Sequence, residues 1–149
     1  MPNRLTLIDA AARIRNHELD PIDLVDACLS RIESVDERTH AWITLDPDRV
    51  RAEARTLSKE ASQSQFRGPL HGVPIGIKDI IFTKDLPTQG GSKFLEGHVP
   101  DYDAAVVERL KAAGAIILGK TVTTEFAGFD PAETRNPWNT SHTPGGSSS

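Results

Sequence analysis

The chain has 149 residues, about one domain, and its 38% hydrophobic and 26% charged residues are ordinary for a soluble globular protein. Its net charge of −4 comes from interspersed signs with no basic stripe, which argues against direct nucleic-acid binding. A single cysteine excludes an internal disulfide, no apolar run is long enough to cross a bilayer, and the charged start "MPNRLTLIDAAARIRN" is unlike a secretory signal, so a cytoplasmic setting is expected.

From Thr6 to about His17, Leu7, Ile8, Ala11 and Ile14 recur at helical spacing, with Thr6 placed to cap the first turn. A second helix is expected from Asp20, with Pro21 at its first position and Leu24, Val25, Cys28, Ile32 and Val35 on one face, which makes Cys28 a core residue. "AWITL" (41–45) reads as a short strand, and Asp46 followed by Pro47 opens a charged helix to about Glu60. Gly68, Pro69 and Gly72 mark a loop leading into the strand "VPIGIK". Further on, Asp103 is expected to cap a helix with Val106, Val107 and Leu110 on its inner face. Gly114 ends it, and a β-branched strand at 115–119 follows. Strand, helix and returning buried strand give an α/β class, with a mixed, largely parallel sheet flanked by helices. After Lys120 the chain is rich in Thr, Pro, Asn, Gly and Ser, a loop long enough to be either functional or disordered. The five histidines, at 17, 40, 71, 98 and 142, are too dispersed for a compact ligand motif, so neither metal nor cofactor is expected.

"GAIILGKT" (114–121) satisfies the literal phosphate-loop pattern through Gly114, Gly119, Lys120 and Thr121. The physics opposes a nucleotide binder. A phosphate loop follows a strand and opens a helix, whereas here a helix precedes, and Ala115, Ile116, Ile117 and Leu118 build a strand rather than an anion nest. ATP or GTP binding remains the testable rival from another class.

"GVPIGIKD" poses a different problem. Strand parity puts Lys78 on the face shared with Pro74 and Gly76, opposite Val73, Ile75 and Ile77. A strand-end lysine ordinarily reaches water or pairs with its neighbour, here Asp79. The small residues beside it, however, let a ligand or another backbone approach closely. Burial would favour the neutral amine, and a neutral lysine is a competent general base for a serine hydroxyl. The hydroxyls on offer are Ser147, Ser148 and Ser149, preceded by Pro144, Gly145 and Gly146, which suit a tight turn. Read alone, the same "PGGSSS" is a flexible linker. The residues by themselves reach a Lys/Ser pair and no further.

Three segments in order, "GPLHGVPIGIKD" (68–79), "YDAAVVERLKAAGAIILGKTVTTEFA" (102–127) and "TRNPWNTSHTPGGSSS" (134–149), resemble the amidase signature family of serine hydrolases. The resemblance implies that fold, incomplete in this chain. Residues 1–149 would be the N-terminal portion of a single amidase domain, with 1–65 a mainly helical scaffold and 68–149 the start of the α/β catalytic core. It implies Lys78 as general base and Ser147, held by a cis peptide bond, as the proton relay to a nucleophilic serine. That serine belongs to a later glycine-rich segment, which also supplies the oxyanion donors and is absent from this sequence. Neither Ser148 nor Ser149 matches it.

The implied reaction is hydrolysis of a carboxylic amide to the acid and ammonia or an amine, on a small-molecule substrate without a cofactor, with this chain inactive alone. Asp79, Ser92, Thr121, Thr123 and Thr124 are supporting candidates, although turn and capping roles are ordinary for each. The alternative within the family is the glutaminase (A) subunit of a tRNA-dependent amidotransferase, which would bring protein partners. "KTVTTEFAGFDPAETRNPW" is shorter and differently worded than the matching segment of that subunit, so a stand-alone amidase is preferred. A homo-oligomer is left open, and a non-catalytic truncated protein is the remaining rival.

Overall fold

The structure, a computed structural model, describes residues 1–148; Ser149 lies outside the described residues. In chain order the elements are α1 (Leu7–Arg15), α2 (Pro21–Thr39), β1 (Trp42–Leu45), α3 (Pro47–Ser62), β2 (Pro74–Lys78), α4 (Ala105–Ala112) and β3 (Ile116–Thr121). Short 3-10 turns lie at Pro2–Arg4, Lys93–Leu95 and Glu125–Ala127.

The helix starts follow local chemistry. Thr6 Oγ1 accepts the Asp9 N–H at 3.1 Å, and an Asp46 carboxylate oxygen accepts the Arg49 N–H at 3.0 Å ahead of Pro47. Pro21 opens α2, where its missing N–H costs no helical hydrogen bond. Two details of the expected pattern are corrected. Cys28 is half-buried at the edge of the core, and Val106 of α4 is 49% exposed while Val107 is fully buried. Adjacent helical residues point about 100° apart, and the inner face of α4 is centred on Val107, which leaves Val106 at its exposed margin. The Asp103 carboxylate, ahead of α4, accepts the Lys84 N–H at 2.7 Å.

The three strands lie in the order β1-β3-β2. β1 is antiparallel to β3, pairing Trp42 with Thr121, Thr44 with Lys120 and Leu45 with Gly119, with a register irregularity between Trp42 and Thr44. Toward β2 the bonds Ile116 N–H to Val73 O (2.9 Å) and Asp79 N–H to Thr121 O (2.9 Å) advance in the same direction along both strands. That pair is therefore parallel, and the sheet is mixed. Gly114, at φ +88, turns the chain out of α4 where a Cβ would meet His71 Cα at 2.8 Å. Gly119 lies where a Cβ would collide with the Thr44 carbonyl oxygen, so its hydrogen lets β1 approach. The phosphate-loop glycines thus end a helix and seat a strand pair, and β3 occupies the stretch that would have to be the loop.

The chain forms two compact units. The first comprises 1–32, 46–75 and 108–118 and holds an apolar cluster of Ala10, Ile14, Leu24, Ala61 and Val73, with Leu5, Leu19, Cys28 and Phe66 packed against it. Val50, Ala54, Leu57 and Ala61 form the buried stripe of α3. Each large aliphatic side chain buried here contributes about 1.5 to 3 kcal/mol. The second unit comprises 33–45, 76–107 and 119–149. Its long segment after β3 is tied down by polar bonds: Thr134 Oγ1 to His40 O (2.9 Å), Arg135 N–H to Thr39 O (2.8 Å) and Val122 N–H to Ala41 O (3.0 Å).

Candidate active site

The second unit brings Lys78 and Ser147 together. Lys78 is the last residue of β2, half-buried, one step beyond the buried Ile77. Its Nζ donates to Ser147 Oγ at 2.7 Å across 69 residues of sequence. At that distance a neutral amine can take the hydroxyl proton directly.

Ser147 arrives through a turn built for it. Gly145 has φ +105 and the Gly146–Ser147 peptide is cis. Thr143 Oγ1 accepts the Gly145 N–H at 3.2 Å. Upstream, Asn136 Oδ1 accepts the Trp138 N–H (2.9 Å), Asn139 Oδ1 accepts the Ser141 N–H (3.1 Å), and the Asn136 N–H reaches His142 O (2.9 Å), so "NPWNTSH" folds on its own asparagines. The Ser147 carbonyl accepts from Thr123 Oγ1 at 3.0 Å and from the Thr124 N–H at 3.3 Å. Two of the supporting candidates, Thr123 and Thr124, therefore hold the serine by its backbone and leave its hydroxyl to Lys78.

The other candidates act one layer away. Ser92 Oγ donates to Glu125 Oε1 at 2.6 Å, and Thr121 offers its carbonyl to the Asp79 N–H. Asp79 turns inward from Lys78. Its carboxylate is fully buried, accepts the Gln89 N–H at 3.1 Å and lies 3.6 Å from Lys120 Nζ, which is also fully buried. Lys120 Nζ donates to Ile81 O at 2.8 Å and to Thr88 Oγ1. Burial pushes the Lys120 ammonium down to about 8, against the attraction of Asp79. Burial likewise raises the Asp79 carboxyl, against the Gln89 N–H and the Lys120 charge. Such a lysine has no freedom to meet a nucleotide phosphate, which removes the last support for the phosphate-loop reading. The sequence shows Lys120 only as the residue after Leu118 and Gly119, a pattern equally compatible with a lysine whose head reaches water, so its burial against Asp79 is a finding of the structure.

A recess of about 350 Å³ opens beside Ser147, bounded by Thr124, Ala127, Gly128, Phe129, Pro131 and the Gly145–Gly146 turn. Phe126 (φ +46) and Ala127 (φ +59) lie consecutively in the left-handed region, which shapes its wall. The Phe126 N–H donates to Gly90 O at 2.8 Å, and Thr124 Oγ1 to Gly128 O at 2.9 Å, which hold the two residues there. Among the described residues, no group of three or more His, Cys, Asp or Glu converges to hold a metal ion, and no helix is long and apolar enough to cross a membrane.

The chain matches the protein-family model described as Amidase over residues 23–149. It is 44% identical over 150 residues to the A subunit of the glutamyl-tRNA(Gln) amidotransferase of Streptomyces coelicolor, covering 97% of this chain and 30% of that relative. Among solved structures it superposes on the native peptide amidase of Stenotrophomonas maltophilia with a TM-score of 0.87 and 39% identity, covering 97% of this chain and 32% of that one. It superposes on 6-aminohexanoate cyclic dimer hydrolase with a TM-score of 0.83 and 29% identity, covering 97% and 30%. The chain thus spans about a third of the length of the proteins it matches.

Proposed function

The chain belongs to the amidase family, and on that premise we propose that residues 1–149 are the N-terminal portion of a serine amidase domain, carrying the base and the relay of its site. Lys78 is the general base and Ser147 the relay. The nucleophile is a serine from a segment that follows Ser149 in the full-length protein. Its Oγ attacks the amide carbonyl carbon while its proton passes to Ser147 Oγ, whose own proton passes to Lys78 Nζ. Collapse of the tetrahedral intermediate breaks the C–N bond, and the proton returns by the same route to the departing nitrogen, releasing ammonia or an amine. Water repeats the sequence on the acyl-enzyme and frees the acid.

The observation that carries this reading is the 2.7 Å hydrogen bond from Lys78 to Ser147. Substitution Lys78→Ala in the full-length protein should lower kcat by about 10²- to 10⁴-fold on any amide it turns over, the usual contribution of a general base. Near-native turnover would remove Lys78 from the mechanism. The reading places the enzyme in the cytoplasm, acting on a small-molecule amide.

The 44% identity to the A subunit of an amidotransferase favours a second reading, the glutaminase of a multi-subunit amidotransferase. Glutamine hydrolysis that requires co-purifying subunits and glutamyl-tRNA would select it; hydrolysis of other amides by the protein alone would select the stand-alone amidase.

A further inference from the structure

Lys120 and Asp79 form a charged pair with no exposed side-chain surface, one residue from Lys78, and the reaction above uses neither of them. A buried ion pair is weak as a stabilising device, because well-packed apolar residues of the same volume often do as well or better. Its contacts suggest another purpose. The Lys120 ammonium holds Ile81 O and Thr88 Oγ1 and faces the Asp79 carboxylate, so it binds together the turn that follows Lys78 and the segment beginning at Thr88. Asp79 joins the same two pieces a second time: its carboxylate accepts the Gln89 N–H, and its carbonyl accepts the Gly90 N–H at 3.0 Å. From Gly90 the connection continues, since Gly90 O accepts the Phe126 N–H, and a Cβ on Gly91 would meet Thr123 O at 2.6 Å. Thr123 and Thr124 are the residues that grip the Ser147 carbonyl. One end of this network is covalently attached to Lys78 and the other end holds Ser147.

We propose that Asp79 and Lys120, with Thr88, are positioning residues that set the separation of the Lys78 amine from the Ser147 hydroxyl. The proposal rests on the base-and-relay reading. Proton transfer between these groups depends on their separation, and a displacement on the order of 1 Å at a reacting pair can lower turnover by about 100-fold.

The test uses the full-length protein and an amide substrate it turns over, with kcat expressed per folded molecule from circular dichroism. A role in stability alone would alter the folded fraction but not turnover per folded molecule. The double variant Asp79→Asn/Lys120→Met removes both charges while Asn keeps an acceptor for Gln89. It should lower kcat about 100-fold with KM within about two-fold. Thr88→Val, which removes one acceptor and leaves the ion pair in place, should give a smaller fall of about ten-fold with KM again unchanged. Native kcat in either variant overturns the positioning role. Lys78→Ala is the control that separates the two ideas. If it retains turnover, the base-and-relay reading itself fails; if it abolishes turnover while the double variant and Thr88→Val do not lower it, only the positioning role falls.

Discussion

Among the described residues, the buried apolar side chains all belong to the first unit except Ile77, Leu86, Pro100 and Val107. The buried polar ones all belong to the second except His71. The first unit is held by burial of aliphatic stripes along helices, a non-directional force that tolerates small shifts. The second is held by Asp79, Thr83, Thr88, Ser92, Lys120, Thr123, Thr124 and Thr134, whose buried groups need partners at fixed distances. Directional bonds are what a site needs when a proton must cross between two named atoms. A buried polar network also fails more sharply than an apolar one when a single member is removed.

That contrast is open to direct attack. The largest expected stability effect is Lys120→Met alone, which leaves the Asp79 carboxylate buried without its countercharge and should cost about 3 to 5 kcal/mol in urea unfolding. The double variant Asp79→Asn/Lys120→Met should recover most of that loss, as expected for coupled partners. Equal losses in the single and double variants would mean that the pair is not coupled, and the picture of the second unit as a directional network would weaken. In the first unit, Ile14→Ala at 1% exposure should cost about 2 to 5 kcal/mol through lost transfer energy and a residual cavity. Turnover per folded molecule should be unchanged in that variant, and a fall in kcat would show that this apolar core also affects turnover.

The same contrast explains what could be read from the sequence. In the first unit the information is local. Thr6 before an apolar period, Pro21, and Asp46 with Pro47 each act within one helical turn, and the helices begin where those residues place them. In the second unit the decisive contacts span 32 residues from Lys120 to Thr88, 69 from Lys78 to Ser147 and 94 from Thr134 to His40. No periodicity reports such contacts. Spacing alone therefore left Lys78 and Ser147 as two weak features, and only the ordered likeness of three segments to a known family joined them. Lys120 was visible as a motif residue, but in the wrong motif, because the pattern that names it does not test whether the stretch before it is a strand. Thr123 and Thr124 carry no sequence signal beyond being threonines in a loop, and their grip on Ser147 depends on where the fold brings its carbonyl, 24 residues along the chain from Thr123. The left-handed pair Phe126 and Ala127 was not foreseeable, since neither residue type favours that region and the long-range bond from the Phe126 N–H to Gly90 O helps to hold it, beside the local Thr124–Gly128 bond.

The smallest expected effect isolates burial as the cause of the difference between the units. Thr6 and Thr88 both use a side-chain hydroxyl as an acceptor, Thr6 for the exposed Asp9 N–H and Thr88 for the buried Lys120 ammonium. Thr6 also donates to Asp9 Oδ2 at 2.7 Å, so its cap is a closed local pair on the surface. Removing it with Thr6→Ala frees an N–H that water can reach, and the cost should be about 1 kcal/mol, with Thr6→Ser restoring most of it. Thermal unfolding of the two variants measures this, and turnover should not respond. A loss from Thr6→Ala as large as that from Lys120→Met would mean that exposure does not set the worth of these bonds. The difference between the two units would then have to come from their chain connectivity instead.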